Sequence, residues 1–467
     1  MADLFATKSV EAFRGDLSDK SRSLKRALGP LNLVMLGIGG IIGTGIFVLT
    51  GVAAKQDAGP AVVMSFALAG LVSALAALCY AEFATILPIS GSAYSYSYAT
   101  LGELFAWIIG WDLVIEYAVA SATVASGWSG YFNLIAGQLG FELPAALKAG
   151  FLAEPGGFVN VPALVIILLI SALLVVGVRE SAFTNAVIVV LKTLVIFYVI
   201  AAGAGYVNAA NWEPFMPFGW WGVVSGAGLV FFAYIGFDGV TTAAEESKNP
   251  ERDMPIGIIG SLLFCTILYI VVSGVITGMV PLSHIDVKAP LARAFTDVGE
   301  HFGAALIAAG AIVGLTSVLL VLLYGQSRIF FAMSRDGLLP GLFSRLHPRF
   351  STPHLSTALV GVLVAIAAGV FPLDDLARFV SIGTLFAFVL VAAGVIVLRR
   401  TAPDLHRPFR CPLVPWVPLL TIAACFYLMA GLGLQTWIRL FVWMGVGLLI
   451  YFLYGLRHSR VQRALTK

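Results

Sequence analysis

The chain alternates between long apolar runs and short polar connections. Runs of roughly 20 apolar residues, enough to cross a bilayer, fall at about 31–54, 60–82, 103–131, 159–178, 184–206 and 222–245. Six more fall at about 256–279, 303–332, 354–371, 376–398, 413–434 and 437–456. The pattern predicts an all-α integral membrane protein with twelve spans. The third and eighth are long enough to require a tilt or a bend.

Two spans break the smooth apolar pattern. The first contains Gly37-Ile-Gly-Gly-Ile-Ile-Gly-Thr-Gly45, and the sixth contains the glycine-rich stretch Gly226–Gly239. Glycine destabilises a helix by about 1 kcal/mol relative to alanine. A cluster of glycines at membrane depth therefore marks either close helix packing, as in Gly39-x-x-x-Gly43, or an unwound stretch. Placement in spans one and six favours unwinding, because spans one to five repeated as six to ten put the two clusters in equivalent positions. An odd number of spans per repeat inverts one copy relative to the other, and paired interrupted helices point to a transporter's central site. The predicted organisation is a tail (1–30), a first repeat (31–206), a second repeat (207–398), spans eleven and twelve (399–456) and a second tail (457–467). No strand precedes the first cluster, so it is not a dinucleotide loop.

Composition enforces the membrane assignment. Of 467 residues, 59% are hydrophobic and 11% charged, against about 25% charged in ordinary soluble domains. The mean hydropathy is +0.95. The formal charge is only +3, but its distribution is informative. If both tails lie on one side, that side collects 21 Lys and Arg residues. The other side holds only Lys55, Lys148, Lys288, Arg293, Arg378 and Arg439. The positive-inside rule then places both termini in the cytoplasm. The basic N-terminal tail sets topology and touches anionic lipid, without a need for nucleic acid. It is polar and is not a signal peptide. Cys79, Cys265, Cys411 and Cys425 form no C-x-x-C pair, which argues against a disulfide framework and a zinc site.

The chemistry follows from the breaks. Amide groups opening the second half of span one, at Thr44, Gly45 and Ile46, suit a carboxylate. Carbonyls at the break ends, near Ile41, Phe232, Ala233 and Ile235, suit an ammonium. One pair of breaks thus holds both charges of an α-amino acid zwitterion, and glycines such as Gly43 let the ligand approach the backbone. Ionisable groups in spans are functional candidates because their burial is costly. Lys192, in span five, either snorkels to the interface or points at carbonyls of the first break, where it fills a position open to sodium. A buried amine there can lose and regain a proton during transport. Asp112 and Glu116 share a helix face; Glu116 either receives a cationic side chain or makes a structural hydrogen bond. Asp238 is expected to cap the helix after the second break, and Glu82, Glu245 and Glu246 to sit at the interface. Among Phe231, Phe232, Tyr234 and Phe237, only Phe232 is expected to close over a ligand; the others read as packing. Tyr94–Tyr98 reads as a short helical or interfacial connector.

Several motifs together resemble the amino acid–polyamine–organocation superfamily, most closely bacterial relatives of the cationic amino acid transporters. They are Gly39-Gly-Ile-Ile-Gly-Thr-Gly-Ile-Phe47, Gly91-Ser-Ala-Tyr-Ser-Tyr-Ser-Tyr98, Phe232-Ala-Tyr-Ile-Gly-Phe-Asp238, Asn249-Pro-Glu-Arg-Asp-Met-Pro-Ile-Gly257 and Ser334-Arg-Asp-Gly-Leu-Leu-Pro340. The resemblance implies a LeuT-like five-plus-five inverted repeat with broken helices 1 and 6, and two additional helices. It implies carboxylate recognition around Thr44 and Gly45, and ammonium contacts at Ile41, Phe232, Ala233 and Ile235. Lys192 matches the span-five lysine that replaces sodium in proton-coupled members, so the expected coupling ion is a proton. Glu116 matches a span-three acid. Leu322 falls in the span-eight wall of the side-chain pocket, where a bulky apolar residue suits smaller or more apolar substrates than arginine. The expected function is proton-coupled import of L-amino acids at the cell membrane, cationic or small and neutral. An exchanger and a non-transporting sensor are the alternatives. A membrane enzyme is disfavoured because the six histidines lie in or beside loops. A channel is disfavoured because no span carries a polar stripe.

Overall fold

The structure is a computed structural model, and it describes residues 3–7, 28–86, 92–177, 182–350 and 352–465. Gly91 of the second motif and several basic residues assigned to the cytoplasmic side (Lys8, Arg14, Lys20, Arg22, Lys25, Arg26, Arg179 and Lys467) lie outside these. Each of the twelve apolar segments holds helix. Among the described residues, eight helices are long and apolar enough to cross a membrane. Shorter apolar helices cover Pro30–Ile41, Val161–Val176, His354–Val370 and Trp416–Gly431. No strand occurs among the described residues, only two isolated bridges, Leu28 with Ser247 and Gly150 with Phe158. This is what an apolar solvent demands, because a helix satisfies its own backbone groups.

The elements that build the site are few. Helix α1 (Pro30–Ile41) is followed by a second helical stretch with π turns at Gly45–Leu49 and Ala54–Ala58. Helix α2 (Val62–Ile86) leads to the short connector α3 (Ser92–Thr100). The long third segment comprises α4 (Glu103–Val114), a π turn at Ile115–Val119 and α5 (Ala120–Gln138). Helix α6 (Ala182–Gly203) carries Lys192, and α7 (Gly219–Val230) ends in a 3₁₀ turn, Phe231–Tyr234. Helices α8 (Pro250–Met279), α9 (His301–Arg335) and α10 (Leu373–Thr401) complete the frame. Both α1 and α2 pack against α8.

Large apolar side chains such as Leu169, Phe441 and Leu453 stay exposed on the outer faces, which fits lipid contact rather than water. Two acidic groups turned inward are paired with arginines. Glu82, near the end of α2, is fully buried. Arg399 holds both of its oxygens at 2.8 and 2.9 Å, Arg407 Nε lies 3.3 Å away, and the Cys411 amide donates at 2.7 Å. At the opposite end, Arg378 grips Asp57 through both carboxylate oxygens at 2.8 and 2.6 Å, and Ser225 donates to the same carboxylate at 2.7 Å. That cluster ties the end of the first segment to α7 and α10.

Candidate functional site

Helix α1 stops at Ile41. Ile42 turns to an extended conformation (ψ 98°), and helix resumes at Thr44. In the sixth segment, α7 tightens into the 3₁₀ turn. Ile235 is then extended (ψ 136°), and Gly236 takes φ 113°, which side-chain-bearing residues rarely adopt. Where helix stops, carbonyls and amides lose their intrahelical partners.

The two breaks meet. A Cβ placed on Gly45 would stand 2.2 Å from Ala233 Cα, and one on Gly236 would stand 2.7 Å from the Gly40 carbonyl carbon. The glycines therefore serve close backbone approach as well as unwinding. The first break also faces its neighbours through small residues: Gly127 of α5 lies against Thr44, and Gly43 lies against Val318 of α9. Ile41, Gly43, Thr44, Gly45, Phe232, Ala233 and Ile235 are all buried and come together there. Thr44 Oγ1 is buried with no hydrogen-bond partner, an arrangement that costs about 1–3 kcal/mol unless something fills it.

Lys192 lies at the back of the first break, 1% exposed. Its Nζ donates to the carbonyl oxygens of Gly39 at 2.8 Å and Ile42 at 3.0 Å. Its stem runs over Gly314 of α9, where a Cβ would meet Lys192 Cδ at 2.7 Å. The ammonium thus meets the negative end of the α1 dipole and the carbonyls that the break releases.

Tyr269 of α8, which the sequence reading passed over, bridges the breaks. Its hydroxyl lies 2.7 Å from the Ile41 carbonyl oxygen and 3.2 Å from that of Ala233. A hydroxyl in the middle of a 30-residue apolar helix was the available signal.

Glu116 sits in the π turn of the third segment, buried, with Thr384 Oγ1 donating to it at 3.4 Å. Such turns often occur at functional sites. Asp238 does not cap the following helix; its Oδ1 accepts from the Gly236 amide at 3.1 Å and closes the turn of the second break. Leu322 lies on α9 and is only partly buried. Phe231 and Phe237 pack edge-on or tilted against Phe388, and Tyr234 packs on Tyr269, as expected of core rings.

The profile of the amino acid permease family matches residues 28–452. The chain belongs to this family. The permease is 50% identical to the methylthioribose transporter of Bacillus subtilis, over 99% of this chain and all of the relative. It is also 50% identical to the branched-chain amino acid permease BcaP of the same organism, over 98% and 99% of the two chains. The human cationic amino acid transporter 4 is 32% identical, over 95% of the permease and 89% of that relative. These relatives are named as transporters or permeases. The permease is accordingly a multi-pass membrane protein and not an enzyme.

Proposed function

We propose that the permease imports L-amino acids by alternating access, coupled to protons, with twelve spans in a five-plus-five inverted repeat and both termini in the cytoplasm of a cell-membrane protein. The observation that carries this reading is the meeting of two helix breaks around an unpartnered hydroxyl, Thr44 Oγ1. In this reading Thr44, Gly45 and the adjoining amides receive the carboxylate. The carbonyls of Ile41, Phe232, Ala233 and Ile235 receive the ammonium, after Tyr269 yields those it now holds. Gly43 gives the ligand access, and Phe232 closes over it.

Lys192 is the proposed coupling group. Its two hydrogen bonds, to the Gly39 and Ile42 carbonyls, support the reading of an ammonium in a position open to sodium, with the proton as the coupling ion. Loss of that proton removes the charge and weakens both hydrogen bonds to the Gly39 and Ile42 carbonyls, which loosens α1 from α6 and α9 and gives protonation a route to the gating helix. Glu116 is assigned to a cationic side chain and Leu322 to the pocket wall. A half-buried leucine there supports small or branched apolar substrates, in keeping with a relative named for branched-chain amino acids. A relative of equal identity is named for methylthioribose, which lacks the amino acid zwitterion, so that compound belongs in the test.

The test is uptake into proteoliposomes under an imposed proton gradient, with leucine, alanine, arginine, lysine and methylthioribose. Wild type is expected to take up leucine or alanine, and Lys192→Ala to lose gradient-driven uptake. Arginine uptake is expected to fall in Glu116→Gln and rise in Leu322→Ser. Uptake of methylthioribose alone would refute zwitterion recognition. Uptake seen only with substrate preloaded inside, and indifferent to the gradient, would establish an exchanger. Binding without flux would establish a sensor.

A further inference from the structure

A cavity lies apart from the breaks. It measures about 170 Å³ and is walled by α5, the stretch after the first break, the 148–160 connection and the start of α10. One water in the liquid takes about 30 Å³, so the space suits a small solute. Three groups facing it are unspent. Asn133 Oδ1 is buried without a hydrogen-bond partner. Lys148 and Asp374, both half-buried, line the same cavity, and neither side chain makes a hydrogen bond or an ion pair among the described residues. The remaining charges on the wall, Lys288 and Glu154, neutralise each other at 2.7 Å. The Asn133 amide is held in place from behind. Its Nδ2 donates to Ser129 Oγ at 3.3 Å, and Ser129 donates to Asn160 Oδ1 at 2.6 Å.

We propose that this cavity is a receiving site for a zwitterionic amino acid, with Lys148 facing the carboxylate and Asp374 and Asn133 Oδ1 facing the ammonium. A cation alone would meet Lys148 and an anion alone would meet Asp374. A small dipolar ion satisfies both, and its ammonium also gives the orphaned amide oxygen a donor. The position suits a staging post. Asn133 lies six residues along α5 from Gly127, the residue packed on Thr44, which is about 9 Å at 1.5 Å per residue. The inference rests on the amino acid transport reading and adds a site to it.

The experiment compares the concentration dependence of leucine uptake by proteoliposomes holding wild type, Asn133→Leu, Lys148→Gln or Asp374→Asn. The expected result is an apparent KM about tenfold higher in each variant, with the maximal rate changed less than twofold. A charge exchange, Lys148→Asp with Asp374→Lys, is expected to recover affinity lost in either reversal alone, which a purely structural role would not produce. If Asn133→Leu does not fold, the charge variants carry the test. KM within twofold of wild type in the charge variants, with uptake intact, overturns the receiving site and leaves the central site standing. Absence of amino acid uptake by the wild type overturns both.

Discussion

Gly45→Ala tests the central geometry most directly. The added Cβ would lie 2.2 Å from both Cα and Cβ of Ala233. Carbon atoms in contact settle at about 3.5–4.0 Å, so the two breaks must part by about 1.3 Å or more. No flexible side-chain end lies there to swing aside. Forced overpacking costs about 1–3 kcal/mol, occasionally more. Parting also lengthens the Tyr269 contact to Ala233, already 3.2 Å, so the upper end of that range is expected. At about 1.4 kcal/mol per factor of ten, 3 kcal/mol corresponds to roughly a hundredfold loss. The assay pairs leucine uptake with thermal unfolding of the purified permease. Gly137→Ala is the control, because nothing lies within 4 Å of its Cβ position and alanine is favoured over glycine in a helix by about 1 kcal/mol. Gly45→Ala is expected to lower both Tm and uptake, and Gly137→Ala neither. Wild-type uptake and an unchanged Tm in Gly45→Ala would refute backbone packing between the breaks.

Other predictions follow from single contacts. Gly314→Ala is expected to displace the Lys192 stem, which a Cβ would approach to 2.7 Å, and to weaken gradient-driven uptake as Lys192→Ala does; uptake with an unaltered pH profile would count against it. Arg378→Gln leaves Asp57 buried with Ser225 alone, at a cost of about 3–5 kcal/mol. The double variant with Asp57→Asn should recover most of the lost Tm, and equal losses in single and double variants would contradict that account. Gln326→Leu removes an amide with both polar atoms buried and unpartnered; its Tm is expected to rise, by about 1–3 kcal/mol in stability, unless a ligand needs the amide, in which case uptake falls as Tm rises.

Much of this was legible in the sequence, because lipid leaves few choices. Apolar run length locates helices, and glycine clusters locate the breaks. What escaped was set by packing between distant segments. Tyr269 reads as one more aromatic in an apolar run, and only the meeting of two breaks gives its hydroxyl two carbonyls. Glu82 reads only as an acid near a span end; its partners Arg399 and Arg407, which make its burial tolerable, stand more than 300 positions later. Asp238 has the residue type and position of a cap, but the left-handed Gly236 turns its own amide toward the carboxylate first.

One small feature has an effect that side-chain scanning will not reveal. Leu28, just before α1, exchanges two backbone hydrogen bonds with the chain after the second break: its amide donates to the Glu246 carbonyl at 2.9 Å, and the Lys248 amide donates to its carbonyl at 2.8 Å. No side chain takes part, so alanine substitution of any of these residues leaves the clasp intact. Proline at position 248 removes one of its two donors. The strip that fastens the two broken helices at one end is therefore silent to ordinary mutagenesis, and a backbone-altering substitution is what exposes it.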